Sequence, residues 1–205
     1  MELSEFLARP KLNIEFYKRD VVTVAQNLLN QYFVHKESGS YLIGKIVEVE
    51  AYSKIDDEAS HSFKGRTKRN ASMFLGGGHL YVYLSYGINY CANIVTGEIE
   101  AGDAVLIRAV EPVYGVSKMA INRTSNNVVF KEMNRDLTNG PGKFSKAFNI
   151  NLTHDAENLL GENIFILENY SLREEIISTE RIGISKSKNL IRRFYINNSK
   201  FVSKR

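Results

Sequence analysis

The sequence predicts a mixed α/β fold of the α+β kind, in which most strands run antiparallel. Apolar residues recur at helical spacing in a few short stretches, as at Val21, Val24, Ala25, Leu28, Leu29 and Tyr32, which marks a helix with one face on a core. Strand-like runs follow one another with a tight turn between them around Tyr86-Gly87, in the stretch 80–95. The regular strand–helix alternation of a parallel doubly wound sheet is missing. At 205 residues, 43% of them hydrophobic, the chain has the size and apolar content of one compact domain over 1–205.

Taken in order, a first helix is expected over 21–33, with Asp20 as an N-cap that accepts from free N–H groups of the first turn. A strand follows over 41–52. Its period of two sets Ile43, Val47, Val49 and Ala51 on one face and Ile46, Glu48, Glu50 and Tyr52 on the other. A polar loop spans 53–78, and 80–95 then reads as a β-hairpin turning at Tyr86-Gly87. Residues 104–110 form a strand that Glu111-Pro112 ends, 116–122 a short helix, and 122–134 a surface loop. Asn139-Gly-Pro-Gly-Lys143 opens a helix running to about 149, and further strands are expected near 164–168, 181–185 and 194–197.

Composition excludes several classes. A single cysteine rules out an internal disulfide and a cysteine-rich zinc site, and fits a reducing compartment. The opening residues, MELSEFLARPKLN, carry acids early and lack the apolar stretch of a secretory signal. No apolar run approaches the ~18 residues of a membrane span. The net charge of +4 and pI of about 9.0 hint at an anionic partner. The charge is also uneven: no acid follows Glu180, whereas Arg181, Lys186, Lys188, Arg192, Arg193, Lys200, Lys204 and Arg205 do. Lys64, Arg66, Lys68 and Arg69 form a second cluster. A solvated basic face is the plainer reading, and nucleic-acid binding the sharper one.

Several residues are candidates for chemistry. Glu50 lies near a strand end beside Tyr52, where neighbours can tune a carboxylate as a general base. Read alone, an exposed glutamate on a half-solvated strand is the favoured reading. Tyr81 and Tyr83 share a strand face, with Tyr52 and His61 expected across a cleft, so that a flat base would stack between them. Ordinary cross-strand aromatic packing is the alternative. Tyr86 stands at the hairpin tip, either as a wedge for a duplex or folded back on its own strands. Gly140, Pro141 and Lys143, with Lys146, suit a phosphate site at a helix start. Glu58 and His61 are spaced i, i+3, but His35, His79 and His154 are scattered, which gives a catalytic metal little support.

Together these stretches resemble the alkyladenine (3-methyladenine) DNA glycosylase family. The likeness is carried by Gly44-Lys-Ile-Val-Glu-Val-Glu-Ala-Tyr52, Asp57-Glu-Ala-Ser-His-Ser62, Arg69-Asn70 with Met73-Phe74, and Leu80-Tyr-Val-Tyr83 with Tyr86-Gly87. Leu106-Ile-Arg-Ala-Val-Glu-Pro112, Asn139-Gly-Pro141 with Lys143, and Arg181-Ile-Gly183 continue it in the same order. The long N-terminal extension of some eukaryotic members is absent, so a compact bacterial-type member is implied. The loop at Arg66-Thr-Lys-Arg69 is one residue shorter than the family form.

The resemblance implies a fold and a set of roles. The fold is one compact domain with a curved, mostly antiparallel sheet, surrounding helices and a protruding β-hairpin. Glu50 matches the general base, and Arg108 and the Ile184 carbonyl match groups that hold the attacking water. Tyr52, His61 and Tyr83 match the pocket for a flipped base, and Asn93 a residue at its floor that disfavours the guanine amino group. Tyr86 matches the residue that fills the gap left in the duplex, and Arg66, Arg69, Gly140 and Lys143 fall at the DNA backbone. The implied enzyme is monofunctional, needs no metal or organic cofactor, leaves an abasic site and acts as a monomer on double-stranded DNA with damaged purines. No obligate protein partner or membrane is implied, and the location is the bacterial cytoplasm and nucleoid. The implied lesions are 3-methyladenine, with 7-methylguanine and hypoxanthine. Two rivals stand beside this reading: a non-catalytic binder of distorted nucleic acid, and a carbohydrate hydrolase pairing Glu48 with Glu50.

Overall fold

In a computed structural model, residues 1–124, 134–170 and 174–204 are described. Helices α1 (Leu3–Leu7), α2 (Ile14–Tyr17) and α3 (Val21–Leu28) precede strands β1 (Tyr32–Glu37) and β2 (Ser40–Tyr52). The hairpin is β3 (Leu80–Ser85) and β4 (Asn89–Thr96), followed by β5 (Asp103–Tyr114), α4 (Val116–Arg123) and α5 (Pro141–Ala147). Strands β6 (Ile164–Leu167), β7 (Ile176–Thr179) and β8 (Arg193–Ile196) close the chain. Among the described residues the strands form one antiparallel sheet in the order β3-β4-β5-β2-β1-β6, with β8 joined to both β2 and β7. The expected fold class holds.

The helix expected over 21–33 starts where its cap demands, for Asp20 accepts from the Thr23 amide at 2.9 Å. It buries Val21, Val24, Ala25 and Leu28 and stops there. Asn30 takes a left-handed φ of 72°, and the Asn30 amide bonds the Ile46 carbonyl at 2.8 Å. Sheet pairing thus wins over the apolar periodicity, and Tyr32 and Phe33 lie in β1 instead. Strand β5 runs on through Pro112, which has no N–H to pair. It is tolerated because Pro112 faces Gly44 at a shift in register. Residues 181–185 make no strand, and the neighbouring strand is β7 instead. Most of the loop expected over 122–134 lies outside the described residues.

The expectation of a half-solvated β2 also fails. Every residue from Ile46 to Ala51 is buried, Glu48 and Glu50 at 0% exposure. Strand β5 pairs one edge of this stretch, and β8 pairs the other at Glu48–Glu50. Helix α5 packs so closely against the turn end of the hairpin that a Cβ on Gly142 would meet the Asn89 side chain, at the start of β4, at 2.7 Å. A long side chain there would drive helix and hairpin apart. Among the described residues no helix is long and apolar enough to cross a membrane.

Candidate active site

Strand register sets five residues in one row across the sheet. Tyr81 of β3 lies opposite Asn93 of β4, Asn93 opposite Leu106 of β5, Leu106 opposite Glu50 of β2, and Glu50 opposite Arg193 of β8. Paired residues share a face, so alternation brings Tyr52 and Tyr83 to the same side. Arg108 is placed differently. It is skipped where Ala109 faces Glu48 and Ile107 faces Val49, the extra residue of a β-bulge. Bulges re-aim side chains, and this one lets Arg108 reach two carboxylates at once.

These side chains surround a cavity of about 930 Å³. Its walls include Tyr52, His61, Arg69, Tyr83, Asn93 and Arg108, with Tyr86 and Pro141 at the hairpin side and Ile182 to Lys186 opposite. Glu50 lies behind this wall. Its Oε2 accepts from the Tyr52 hydroxyl at 2.8 Å and faces Arg108 Nη1 at 3.2 Å, and its Oε1 accepts from the Ile182 amide at 2.7 Å. Burial works against the charge of Arg108, but Glu50 and Glu48 outweigh it and raise its pKa. Burial and the Glu50 charge push the Tyr52 phenol well above its ordinary value, so it stays protonated as a donor.

The aromatic wall is bonded as well as stacked. Tyr81 and Tyr83 stack at 5.3 Å, and His61 meets the Tyr83 ring edge-on at 4.5 Å. His61 Nδ1 shares a hydrogen with the Tyr81 hydroxyl at 2.8 Å. Loss of hydration, then the charge of Arg69, lower the His61 pKa, so the neutral ring is favoured. The buried Asn93 amide donates to the Tyr81 carbonyl at 3.0 Å, which fixes its side chain at the cavity wall. Tyr86 stands clear of its own hairpin at 92% exposure and φ 49°, with Ile88 beside it at 77%.

Residues 15–200 match the model of the methylpurine-DNA glycosylase (MPG) family. The chain belongs to this family. A relative from Carboxydothermus hydrogenoformans is 45% identical over 193 residues, 93% of this chain and 97% of its own length. One from Francisella tularensis is 44% identical over 188 residues, 90% and 94% of the two chains. One from Clostridium novyi is 42% identical over 201 residues, 95% and 99%. Each is provisionally named a 3-methyladenine DNA glycosylase. By family the chain is a monofunctional DNA glycosylase of base-excision repair.

In this methylpurine-DNA glycosylase the structure gathers Glu50, Arg108, Tyr52, His61, Tyr83, Asn93, Tyr86 and Arg69 about one cavity. It does not gather the other backbone candidates. Arg66 pairs with Glu100 at 2.7 Å, and Lys143 is tied to Asp136 and Asn139 at 3.1 and 2.8 Å. Gly140 caps α5 without lining the cavity. Glu58 pairs with Lys186 at 2.7 Å, and no three His, Cys, Asp or Glu converge among the described residues. The basic residues after Glu180 are only partly a solvated face. Arg181 and Arg193 are buried at 5% and 4%, and Arg192 pairs with Asp56 at 2.7 Å.

Sequence reasoning missed what holds the wall in place. Arg181 forms a forked ion pair with Asp57, both side chains at 0% exposure. It also donates to the Ala51 carbonyl at 3.0 Å and lies 4.5 Å over the Tyr52 ring. It thereby ties the end of β2 to the segment carrying Ile182. Arg181 and Asp57 both stand in the motifs that carry the resemblance, but a pairing across more than a hundred residues has no sequence signal.

Proposed function

We propose that this glycosylase removes damaged purines from double-stranded DNA by hydrolysis, with Glu50 activating the water. The observation that carries this reading is the state of the Glu50 carboxylate. A carboxylate has about four acceptor positions. Two are filled, by the Tyr52 hydroxyl on Oε2 and the Ile182 amide on Oε1, while Arg108 Nη1 faces Oε2 as an ion pair at 3.2 Å, so a further acceptor position remains on Oε1. A water there, also held by Arg108 and the Ile184 carbonyl, is aimed at C1′ of a nucleotide in the cavity.

The target bond is inside a duplex, so the nucleotide must swing out, which costs a few kcal/mol. Tyr86 fills the gap and offsets part of that cost. The base stacks against Tyr83 and His61, with Tyr52 on its other side. As it departs, C1′ gains oxocarbenium character, which the Glu50 charge stabilises. Cationic 3-methyladenine and 7-methylguanine leave readily, and neutral hypoxanthine needs a proton on the base. Asn93 at the wall disfavours an unmodified guanine through its amino group. Arg69 at the rim contacts backbone phosphate, and Arg66, Gly140 and Lys143 do so only if their present partners give way. The unit acts as one domain and as a monomer in the bacterial cytoplasm.

One feature disfavours a carbohydrate hydrolase. Its two carboxylates would flank the bond, whereas Glu48 is saturated by Arg108, Arg193 and Ser203. The test is incubation of duplexes bearing one 3-methyladenine or one hypoxanthine, in EDTA, followed by alkali cleavage at abasic sites. Strand breaks at the lesion after alkali alone are expected. Binding without base release would assign the chain to non-catalytic recognition, and loss of activity restored by a divalent ion would overturn the metal-free mechanism.

A further inference from the structure

Glu48 has no part in the reaction proposed above, yet it is the more heavily bonded of the two glutamates. Its Oε1 accepts from Arg108 Nε at 3.0 Å, Arg193 Nε at 2.8 Å and Ser203 Oγ at 2.9 Å, and its Oε2 from the Ser203 amide at 2.6 Å. The partners come from three separate parts of the chain. Arg108 sits on the β5 bulge and Arg193 on β8, and Ser203 lies beyond it. Arg193 is held in turn by Thr179 Oγ1 at 3.1 Å and by the Lys204 carbonyl.

We propose that Glu48, Arg193 and Ser203 form a positioning unit that aims Arg108, and through it leaves the remaining Oε1 acceptor position of Glu50 for the water. The inference rests on Glu50 being the base. A guanidinium is planar, so two fixed nitrogens fix the third. Glu48 holds Nε, and the Ser203 hydroxyl faces Nη2 at 3.4 Å, which leaves Nη1 on Glu50 Oε2 at 3.2 Å. Two arginines face two glutamates, so the buried cluster is neutral. Without the Glu48 charge, Glu50 becomes the sole carboxylate facing Arg108 and draws it inward. A tighter fork then covers the acceptor position on Oε1 that the water needs.

Buried ion pairs often serve folding alone, so the test must separate the two roles. Single-turnover excision at saturating enzyme, affinity for lesion-bearing duplex and melting temperature are measured for Glu48→Gln and Ser203→Ala. Each is made alone and combined with Arg108→Ala. Glutamine keeps an acceptor oxygen but loses the charge; alanine at 203 keeps the backbone amide bond. Misplacement on this scale should slow excision by Glu48→Gln about 10- to 100-fold, while affinity stays within about threefold. The Ser203→Ala loss should be smaller, about 3- to 10-fold. In the Arg108→Ala background both losses should shrink to under about threefold, because the route through Arg108 is already cut. Wild-type excision by a folded single variant overturns the proposal, as does a loss that persists in full without Arg108. If Glu48→Gln does not fold, Ser203→Ala decides on the same criteria. Should wild type excise and Glu50→Gln fail to, the proposed function stands whichever way this cycle falls.

Discussion

The back of the cavity and the tip of the hairpin are opposites. At the back of the cavity, Arg108 in its wall and Glu48, Glu50 and Arg193 behind it are almost wholly buried, and each is bonded to side chains or amides from distant segments. At the tip, Tyr86 and Ile88 stand 92% and 77% exposed on three residues between Ser85 and Asn89, largely uncovered by the described residues. Preorganised charge suits bond breaking, since no reorganisation is needed as charge develops. Bare apolar side chains on a narrow loop suit insertion into a partner, since their exposure is relieved only there. The difference teaches that chemistry and duplex opening are assigned to separate parts, so substitutions in each should fail in different ways.

The largest effect is expected from Glu50→Gln. Glutamine is nearly isosteric, but it cannot take a proton from water and removes the charge facing the oxocarbenium ion. A general base contributes about 10²–10⁴-fold, so together with the charge term a fall of at least roughly a thousandfold is expected in single-turnover excision, with damaged-DNA binding retained. Next is Tyr86→Ser, which should slow release of a well-paired lesion about 10- to 100-fold, given the few kcal/mol of unstacking. Folding should change by less than about 0.5 kcal/mol, as for other exposed sites. A sharp fall in melting temperature with excision intact would make Tyr86 a packing residue and erase the contrast.

Asn93→Ser should act more mildly. Contacts of this kind discriminate by about 1–3 kcal/mol, so relative excision of purines with a 2-amino group should rise only in part. Loss of the bond to the Tyr81 carbonyl should cost about 1 kcal/mol of stability. Identical relative rates on guanine-type and adenine-type bases would remove Asn93 from selectivity. The smallest effect is expected away from both regions, at His35. Burial first, then the charge of His154, lower its pKa below the ordinary value. The unfolded chain therefore takes up a proton first as pH falls through about 6.5. The stability contributed by neutral His35 is full above that pH and is lost below it. Melting from pH 8 to 5.5 should show a shallower decline for His35→Gln than for wild type, and equal slopes would exclude this role.

Much of this was legible in the sequence, and the limits are physical. The hairpin was legible because its alternation and turn are local, and so were the Asp20 cap and the α5 start at Pro141. The end of α3 was not, because Asn30 and Gln31 bond to Ile46, outside any local window. The pocket residues were reached through the family likeness and through period two along β2 and β3. The burial of Glu50 was not, since the strand that covers it, β8, follows more than a hundred residues later. Arg66 and Lys143 read as free cations only because Glu100 and Asp136 cannot be assigned to them from sequence.

The central claim is that the bond is broken by the buried cluster and not at the tip. Its most direct test is single-turnover release of hypoxanthine from duplexes in which the lesion is well paired or mispaired, by wild type, Glu50→Gln and Tyr86→Ser. A mispair makes flipping cheaper. The expected result is that it restores most of the Tyr86→Ser rate and none of the Glu50→Gln rate. Near-normal excision by Glu50→Gln on either duplex would contradict the claim and leave the mechanism without a base.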